Sequence, residues 1–124
     1  MTANLIPKRV LVVDDTPMFL EMMARTLGTQ GHETGTAANG VEGLRKFREH
    51  DWDLVITDLQ MPTMGGDEMA SVIRAEAPEV PVILMTGSVG FTADGSDFYA
   101  IIAKPFRGGE IIALVGQALA AAKT

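Results

Sequence analysis

The sequence predicts an α/β fold in which helices cover both faces of a parallel β-sheet. Two observations support this fold class. Five short apolar runs, rich in β-branched residues, alternate with longer amphipathic stretches. The first run, Arg9–Val13, is nearly continuous in its apolar character, as is typical of a strand buried on both faces. With 124 residues the chain has room for one domain, and we expect its single core to extend over about residues 8–122.

The first strand is predicted at Arg9–Val13 and ends at the acidic pair Asp14-Asp15. Thr16 followed by Pro17 predicts a helix start, because a capping residue precedes a proline at the first helical position. We expect Gly31 to end this helix. Its apolar stripe consists of Phe19, Leu20, Met23 and Leu27.

The second and third units follow the same pattern. A weak strand is predicted at 34–38, and a short helix after Asn39-Gly40. The third strand, Leu54–Thr57, ends at Asp58, and Gly66–Ala77 is predicted as the next helix. The apolar positions of these two helices are Val41, Leu44 and Phe47 in the first, and Met69, Val72 and Ile73 in the second.

The last units are predicted to be less regular. Val82–Met85 forms the fourth strand, and Ile101–Ala103 the fifth. Between them, residues 88–97 contain turn-forming residues and little apolar periodicity, so we expect a loop or a frayed short helix there. The final helix has an apolar stripe of Ile111, Ile112, Val115 and Leu119.

Composition excludes several function classes. The net charge of −6 argues against broad binding to a nucleic-acid backbone or an anionic membrane. The chain has no phosphate-binding Gly-Lys loop and no dinucleotide fingerprint. Its longest apolar runs are too short to span a bilayer, and its first residues lack a charged-then-apolar pattern, so we expect no secretory leader. Since there are no cysteines either, we expect a cytoplasmic protein without disulfides or thiolate metal sites.

Charged and hydroxyl side chains follow four of the five predicted strands. Asp14 and Asp15 follow the first strand, Asp58 the third, Thr86 the fourth and Lys104 the fifth. In an open α/β sheet the carboxyl ends of the strands form the ligand-binding edge. We therefore expect these side chains to share one site.

Three carboxylates at one edge require a compensating positive charge. Each pair about 4 Å apart costs roughly 1 to 4 kcal/mol in a partly solvated site. Magnesium, which prefers oxygen ligands and uses one or two carboxylates, fits this set better than zinc, because no His or Cys lies nearby in the sequence.

Such a site suits phosphoryl transfer. A carboxylate can attack phosphorus when a cation and a lysine neutralise the equatorial oxygens, and Asp58 is the best candidate for this nucleophile. Lys104 would supply a point charge and the Thr86 hydroxyl a hydrogen bond. Each residue also has a purely structural interpretation: a helix cap at Asp15, a turn at Thr86 and a strand exit at Lys104. Their joint occurrence at strand ends favours the functional one.

The residues of four segments resemble the receiver domains of two-component response regulators. These segments are VLVVDDTP at 10–17, DLVITDLQMPTMGG at 53–66, VPVILMTG at 80–87 and IIAKPF at 101–106. The resemblance implies a flavodoxin-like and CheY-like sheet of five parallel strands in the order 2-1-3-4-5. It also implies that a histidine kinase or a histidine phosphotransfer protein donates a phosphoryl group to Asp58, and that a downstream protein reads the change.

The resemblance further assigns roles within the site. It implies that Asp15 and Asp58 bind Mg²⁺ directly, Asp14 through water and Gln60 through its backbone carbonyl, with Mn²⁺ as a possible substitute. Gln60 and Ser88 would lie near the path of the water that hydrolyses the aspartyl phosphate. The peptide bond between Lys104 and Pro105 is similar to one that is cis in such domains.

Two features depart from the family pattern. The position three residues before the lysine, usually an aromatic switch residue, is Ile101, and Tyr99 on the same strand face is our hypothesis for a substitute. Lys104 lies only 18 positions after Thr86. This short segment resembles a subgroup of receivers with a degenerate fourth helix, and we expect it to order on phosphorylation or partner binding.

Two other function classes share part of this pattern. A pseudoreceiver would bind partners without using its phosphate, but the acceptor, acidic pair and lysine are all present. An aspartyl-phosphate phosphatase would need a second Asp two residues after the nucleophile, where this chain has Gln60. We therefore expect Mg²⁺-dependent self-phosphorylation and slow autodephosphorylation, without turnover of an external substrate. The string Gly65-Gly66-Asp67-Glu68 matches a diguanylate cyclase signature by coincidence, because here it begins a helix.

Overall fold

The computed structural model describes residues 8–87 and 98–122. The strands are β1 (Arg9–Val13), β2 (Glu33–Ala37), β3 (Leu54–Asp58), β4 (Val82–Thr86) and β5 (Ala100–Ala103). The helices of the described part are α1 (Pro17–Gly28), α2 (Gly40–Glu49), α3 (Gly66–Glu76) and α4 (Gly108–Ala122). Each strand predicted from the sequence is present, displaced by at most one residue at either end.

The five strands form one parallel sheet in the order β2-β1-β3-β4-β5, which confirms the predicted order. The register places the last residues of the strands at one level, since Val13 lies beside Thr57, Asp58 beside Met85 and Thr86 beside Ala103. The side chains that follow β1, β3, β4 and β5 therefore share one edge of the sheet.

Two apolar clusters pack on opposite faces of the sheet. Alternate residues of β1 divide between them, because successive strand side chains point to opposite faces: Val10 and Val12 join one cluster, and Leu11 and Val13 the other. The first cluster includes residues of α1 and α4, and the second includes residues of α2 and α3. The predicted two-sided helix covering is thus confirmed.

The two ends of α1 differ in detail from the prediction. Thr16 occupies the N-cap position before Pro17, but its side chain makes no capping hydrogen bond. The helix ends at Gly28, three residues before Gly31, which was predicted to end it. Gly31 instead adopts a positive φ of 84° in the following turn, a conformation that glycine accepts without strain.

Some predictions fall on residues outside the described ranges. The expected loop or frayed fourth helix covers residues 88–97, and Ser88 is the first of them. Among the helices of residues 8–87 and 98–122, none combines the length and apolar character needed to cross a membrane.

Candidate functional site at the carboxyl edge of the sheet

Three carboxylates converge where β1 and β3 end. Asp14 follows β1 and is fully buried, whereas Asp15 is exposed and Asp58 closes β3 with 14% of its side chain exposed. One oxygen from each of the three lies within 4.8 Å of the others. The convergence follows from strand order. Asp58 lies more than 40 positions after Asp14 and Asp15, but β1 and β3 are neighbours in the sheet.

The buried carboxylate of Asp14 is satisfied on both oxygens. Its Oδ1 accepts a hydrogen bond from the backbone N–H of Thr16 at 2.9 Å, and its Oδ2 accepts one from Lys104 Nζ at 2.7 Å. Charge-assisted hydrogen bonds of this kind compensate a buried charge that would otherwise be very costly. The start of α1 and the end of β5 are thereby joined through one side chain.

Asp58 lies in a less favourable environment for its charge. The backbone N–H of Leu59 donates to its Oδ1 at 3.0 Å, and Lys104 Nζ lies 3.5 Å from the same oxygen. Burial raises the pKa of the Asp58 carboxyl, the Lys104 ammonium opposes this rise, and the charge of Asp14 adds to it. The site as a whole has more negative charge than Lys104 alone can balance.

The donor set fits a small, hard divalent cation. All its charged ligands are carboxylate oxygens, which such cations prefer, and within the described residues no other acidic or histidine cluster of this kind is present. The exposed Asp15 provides access from solvent, while Asp14 and Asp58 close the buried side. Asp14, Asp15 and Asp58 can therefore hold a metal ion. Gln60 is exposed two residues beyond Asp58, and its role as a ligand stays a prediction.

Thr86 and Lys104 lie at the same edge. Thr86 is the last residue of β4 and is buried, and its carbonyl accepts a hydrogen bond from the backbone N–H of Lys104 at 2.8 Å. The bond between Lys104 and Pro105 is cis, as the resemblance implies. The structure thus brings both predicted side chains to the strand ends beside Asp58.

The two candidate switch residues lie farther away. Ile101 and Tyr99 are 39% and 42% exposed and alternate with the more buried Ala100. The backbone N–H of Tyr99 donates a hydrogen bond to the backbone carbonyl of Val82 in β4. The chain is therefore already paired with the sheet one residue before β5 begins. At about 3.3 Å per residue, Tyr99 is roughly 16 Å from Lys104 along the strand. Its role as a substitute switch stays a prediction.

Sequence reasoning missed two aromatic residues at this site. The Lys104 ammonium lies 4.4 Å from the centre of the Phe19 ring, and Phe19 meets Phe106 edge to face, with ring centres 6.0 Å apart. The sequence indicated Phe19 only as part of the apolar stripe of α1. Its position in the first turn of α1, two residues after the helix begins at Pro17 and close behind the acidic pair, was the available signal.

Comparison with protein families matches residues 10–116 to the response regulator receiver domain. Among curated proteins, the chain is 34% identical over 113 residues to the probable transcriptional regulatory protein TcrX of Mycobacterium tuberculosis, covering 86% of this chain and 47% of TcrX. It is 36% identical over 115 residues to the DNA-binding response regulator MtrA of Mycolicibacterium smegmatis, covering 87% and 49%. The chain thus spans about half the length of these two relatives.

Solved structures agree with this match. A response regulator receiver domain protein from Clostridium thermocellum superposes with a TM-score of 0.87 at 29% identity, covering 94% of this chain and 97% of that one. The response regulator TrrA from Thermotoga maritima, solved in complex with Mg²⁺-BeF, superposes with a TM-score of 0.83 at 36% identity, covering 90% and 98%.

Proposed function

Because this chain belongs to the response regulator receiver domain family, we propose that it is a phosphorylation-dependent signalling switch whose phosphoryl acceptor is Asp58. The observation that carries the proposal is the convergence of three carboxylates and one lysine at the strand ends. This arrangement places a partly exposed carboxylate beside a group that can neutralise phosphoryl oxygens.

The proposed reaction transfers a phosphoryl group from a phosphohistidine to the Asp58 carboxylate. A bond forms between a carboxylate oxygen and phosphorus while the phosphorus–nitrogen bond breaks, and the electron pair stays on the imidazole nitrogen. The Leu59 N–H orients the carboxylate, because it donates to Oδ1 at 3.0 Å. Lys104 stabilises the charge on the transferring oxygens from its position between Asp14 and Asp58.

We propose Mg²⁺ as the cation of this site, with Mn²⁺ as a substitute. Asp15 and Asp58 would bind it directly, Asp14 through water and Gln60 through its carbonyl. When bound, the cation neutralises phosphoryl oxygens and offsets the repulsion among the carboxylates. The oxygen-only donor set and the structural likeness to TrrA, which was solved with Mg²⁺-BeF, support this choice.

The remaining roles follow the resemblance. The Thr86 hydroxyl would hydrogen-bond a phosphoryl oxygen, and Gln60 and Ser88 would flank the water that later hydrolyses the aspartyl phosphate. Turnover of an external substrate is not expected, because position 60 offers an amide where a phosphatase needs a general acid.

The proposed partners are a histidine kinase or histidine phosphotransfer protein as donor and a downstream protein as reader. The relatives named for DNA binding or transcription are about twice as long as the matched region. We propose no DNA binding for these 124 residues, whose net charge is −6. A cytoplasmic location stays a prediction.

The direct test is intact mass after incubation with acetyl phosphate and Mg²⁺. The native chain should gain one phosphoryl group, and a chelator should prevent the gain. Asp58→Asn should gain none, whereas Asp51→Asn, which removes an exposed aspartate outside the site, should behave as the native chain does. Modification of the Asp58 variant would contradict the assignment of the acceptor.

The pseudoreceiver alternative makes the opposite prediction. A native chain that gains no phosphoryl group from acetyl phosphate, and none from a phosphorylated histidine phosphotransfer protein, would favour partner binding independent of phosphate. Binding of a partner with equal affinity to the native chain and to Asp58→Asn would then support that alternative.

A further inference from the structure

The Lys104 ammonium is in contact with three groups. It donates to Asp14 at 2.7 Å, lies 3.5 Å from Asp58 Oδ1, and lies 4.4 Å from the centre of the Phe19 ring. The last distance is within the range at which a cation is attracted to the face of an aromatic ring. Lys104 itself is a flexible side chain with a compact charge, so its position depends on such contacts.

The two carboxylates alone would draw the ammonium toward Asp14. Its distance to Asp14 is shorter than its distance to Asp58, and Asp14 is fully buried, where ion pairs are least screened. The Phe19 ring is uncharged, so its attraction for the ammonium persists when the charge of either carboxylate is neutralised. The ring can therefore hold the Lys104 ammonium in place when Asp14 or Asp58 is neutralised.

The position of the Phe19 ring is itself well defined. Phe19 and Phe106 both pack against the apolar cluster beneath α1 and α4, and their rings meet at an interplanar angle of 81°. Such edge-to-face pairs are favourable beyond the area they bury. Because Phe106 lies two residues after Lys104, one aromatic pair joins the start of α1 to the segment that carries the lysine.

We propose that Phe19 is a positioning residue that holds Lys104 for phosphoryl transfer, an inference that rests on the function proposed above. The simpler interpretation is that Phe19 only fills volume in the stripe of α1. The two interpretations differ in one requirement. A volume filler can be replaced by another large apolar side chain, whereas a positioning ring needs its electron-rich face.

The test compares variants of the full chain that separate shape from ring electronics. Phe19→Leu keeps apolar bulk and removes the ring, and Phe19→Tyr keeps the ring. Mono- to trifluorinated phenylalanine at position 19 weakens the ring's attraction for cations stepwise with little change in size, so this series does not depend on whether Phe19→Leu folds. Leu114→Ala is the control, because Leu114 packs on the same cluster from α4.

Two measurements are made on each variant. The first is the NMR shift of the Lys104 ε-methylene protons, which a ring face moves upfield without any phosphoryl donor or cation present. The second is the initial rate of Asp58 phosphorylation by phosphoramidate at saturating Mg²⁺. We expect Phe19→Leu to lose the upfield shift and to be phosphorylated roughly three- to tenfold more slowly, the size of one cation–π contact. Phe19→Tyr should retain both properties and Leu114→Ala should change neither.

Four outcomes would overturn the positioning role alone. The first three are an unchanged Lys104 shift in Phe19→Leu, a rate that stays constant through the fluorinated series, and an equal loss of rate in Leu114→Ala. A native chain that accepts no phosphoryl group at all would overturn the proposed function, and the positioning role with it. A native chain that is phosphorylated at the same rate as Phe19→Leu would overturn the positioning role alone.

Discussion

Asp58 is an ionisable side chain in surroundings that disfavour its charge. Burial is the largest cause of its raised pKa, and the charge of Asp14 contributes in the same direction despite the opposing effect of Lys104. A carboxyl whose pKa is higher in the folded chain binds its proton more readily there than in the unfolded chain. Its ionisation therefore opposes folding, and stability from this group is lost as the pH rises through the folded-state pKa.

Asp58→Asn should consequently be more stable than the native chain at pH 7 in the absence of divalent cations. The free energy of unfolding should rise by on the order of 1 kcal/mol, because the substitution removes one of three crowded negative charges. The gain should shrink as the pH falls toward 3.8, the ordinary pKa of an aspartate, since the native carboxyl is then increasingly protonated in both states. Urea unfolding at pH 7 and at pH 4.5 measures the difference.

The control for this experiment is Asp51→Asn, which removes an exposed charge outside the site. Its stability should differ little from that of the native chain at either pH. If Asp58→Asn were less stable than the native chain at pH 7, the hydrogen bonds to the carboxylate would outweigh the repulsion, contrary to this account.

Gly66 packs directly against the backbone of Asp58, the proposed phosphoryl acceptor. A Cβ atom at this position would lie 2.0 Å from the backbone oxygen of Asp58 and 3.0 Å from the Thr57 hydroxyl oxygen. The nearest atoms belong to the backbone of Asp58, which cannot move aside as easily as the end of a flexible side chain. The start of α3 therefore touches the end of β3 at Asp58.

Gly66→Ala should destabilise the chain by about 2 kcal/mol or more, because overpacking forces a backbone shift. The same shift should slow phosphorylation of Asp58. The matched control is Gly116→Ala within α4, where a Cβ atom would have no neighbour within 4 Å. This variant should gain up to about 1 kcal/mol from helix propensity. Equal effects at the two glycines, measured by urea unfolding, would contradict the steric explanation.

At the scale of elements, β4 and β5 differ in how completely they are covered. Every residue of β4 is buried, whereas β5 alternates between half-buried and exposed side chains. Ile101, at the usual position of the aromatic switch, is on the exposed side of β5. A branched aliphatic side chain there already contacts solvent in this structure.

Ile83→Ala in β4 should lower the free energy of unfolding by about 2 to 5 kcal/mol, the usual range when a fully buried isoleucine is truncated. Ile101→Ala in β5 should lower the free energy of unfolding by less than about 1 kcal/mol, because Ile101 is 39% exposed on an edge strand and its truncation leaves no enclosed cavity. Unfolding by urea tests both. A loss at Ile101 as large as that at Ile83 would show that another part of the chain covers Ile101 in solution.

At the scale of the whole molecule, the site exists only in the folded chain. Its carboxylates come from two strands and its lysine from a third, so the unfolded chain cannot hold a cation with the same set of ligands. A cation that binds the folded state alone raises the free energy of unfolding, and the increase grows with the logarithm of its free concentration above its dissociation constant. Metal binding and global stability are therefore linked.

Mg²⁺ should accordingly stabilise the native chain, by about 1.4 kcal/mol when its free concentration is ten times its dissociation constant. Asp15→Asn should lose most of this stabilisation, because it removes the exposed member of the proposed ligand set. Asp51→Asn should keep it. Thermal or urea unfolding with Mg²⁺ and with a chelator provides the comparison, and an undiminished effect in Asp15→Asn would place the ion elsewhere.

Much of the architecture follows from local patterns in the sequence. Strands such as Val82–Thr86 are recognisable because buried parallel strands are continuously apolar, and helices such as α1 because apolar residues recur at helical spacing. The end of α1 was predicted less accurately, since Gly31 lies in the turn beyond it. Residue types at strand ends also indicated the site, because parallel strands align their carboxyl ends.

The details of the site depended on contacts between residues far apart in the chain. Sequence alone identified Lys104 and Asp14 as members of the site, but only the folded structure places them 2.7 Å apart. It likewise decides that Phe19 lies against Lys104, that Gly66 touches Asp58, and how far Ile101 is exposed. The reason is physical: periodicity and capping act over a few residues, whereas distance, burial and charge balance arise only when separate elements pack together.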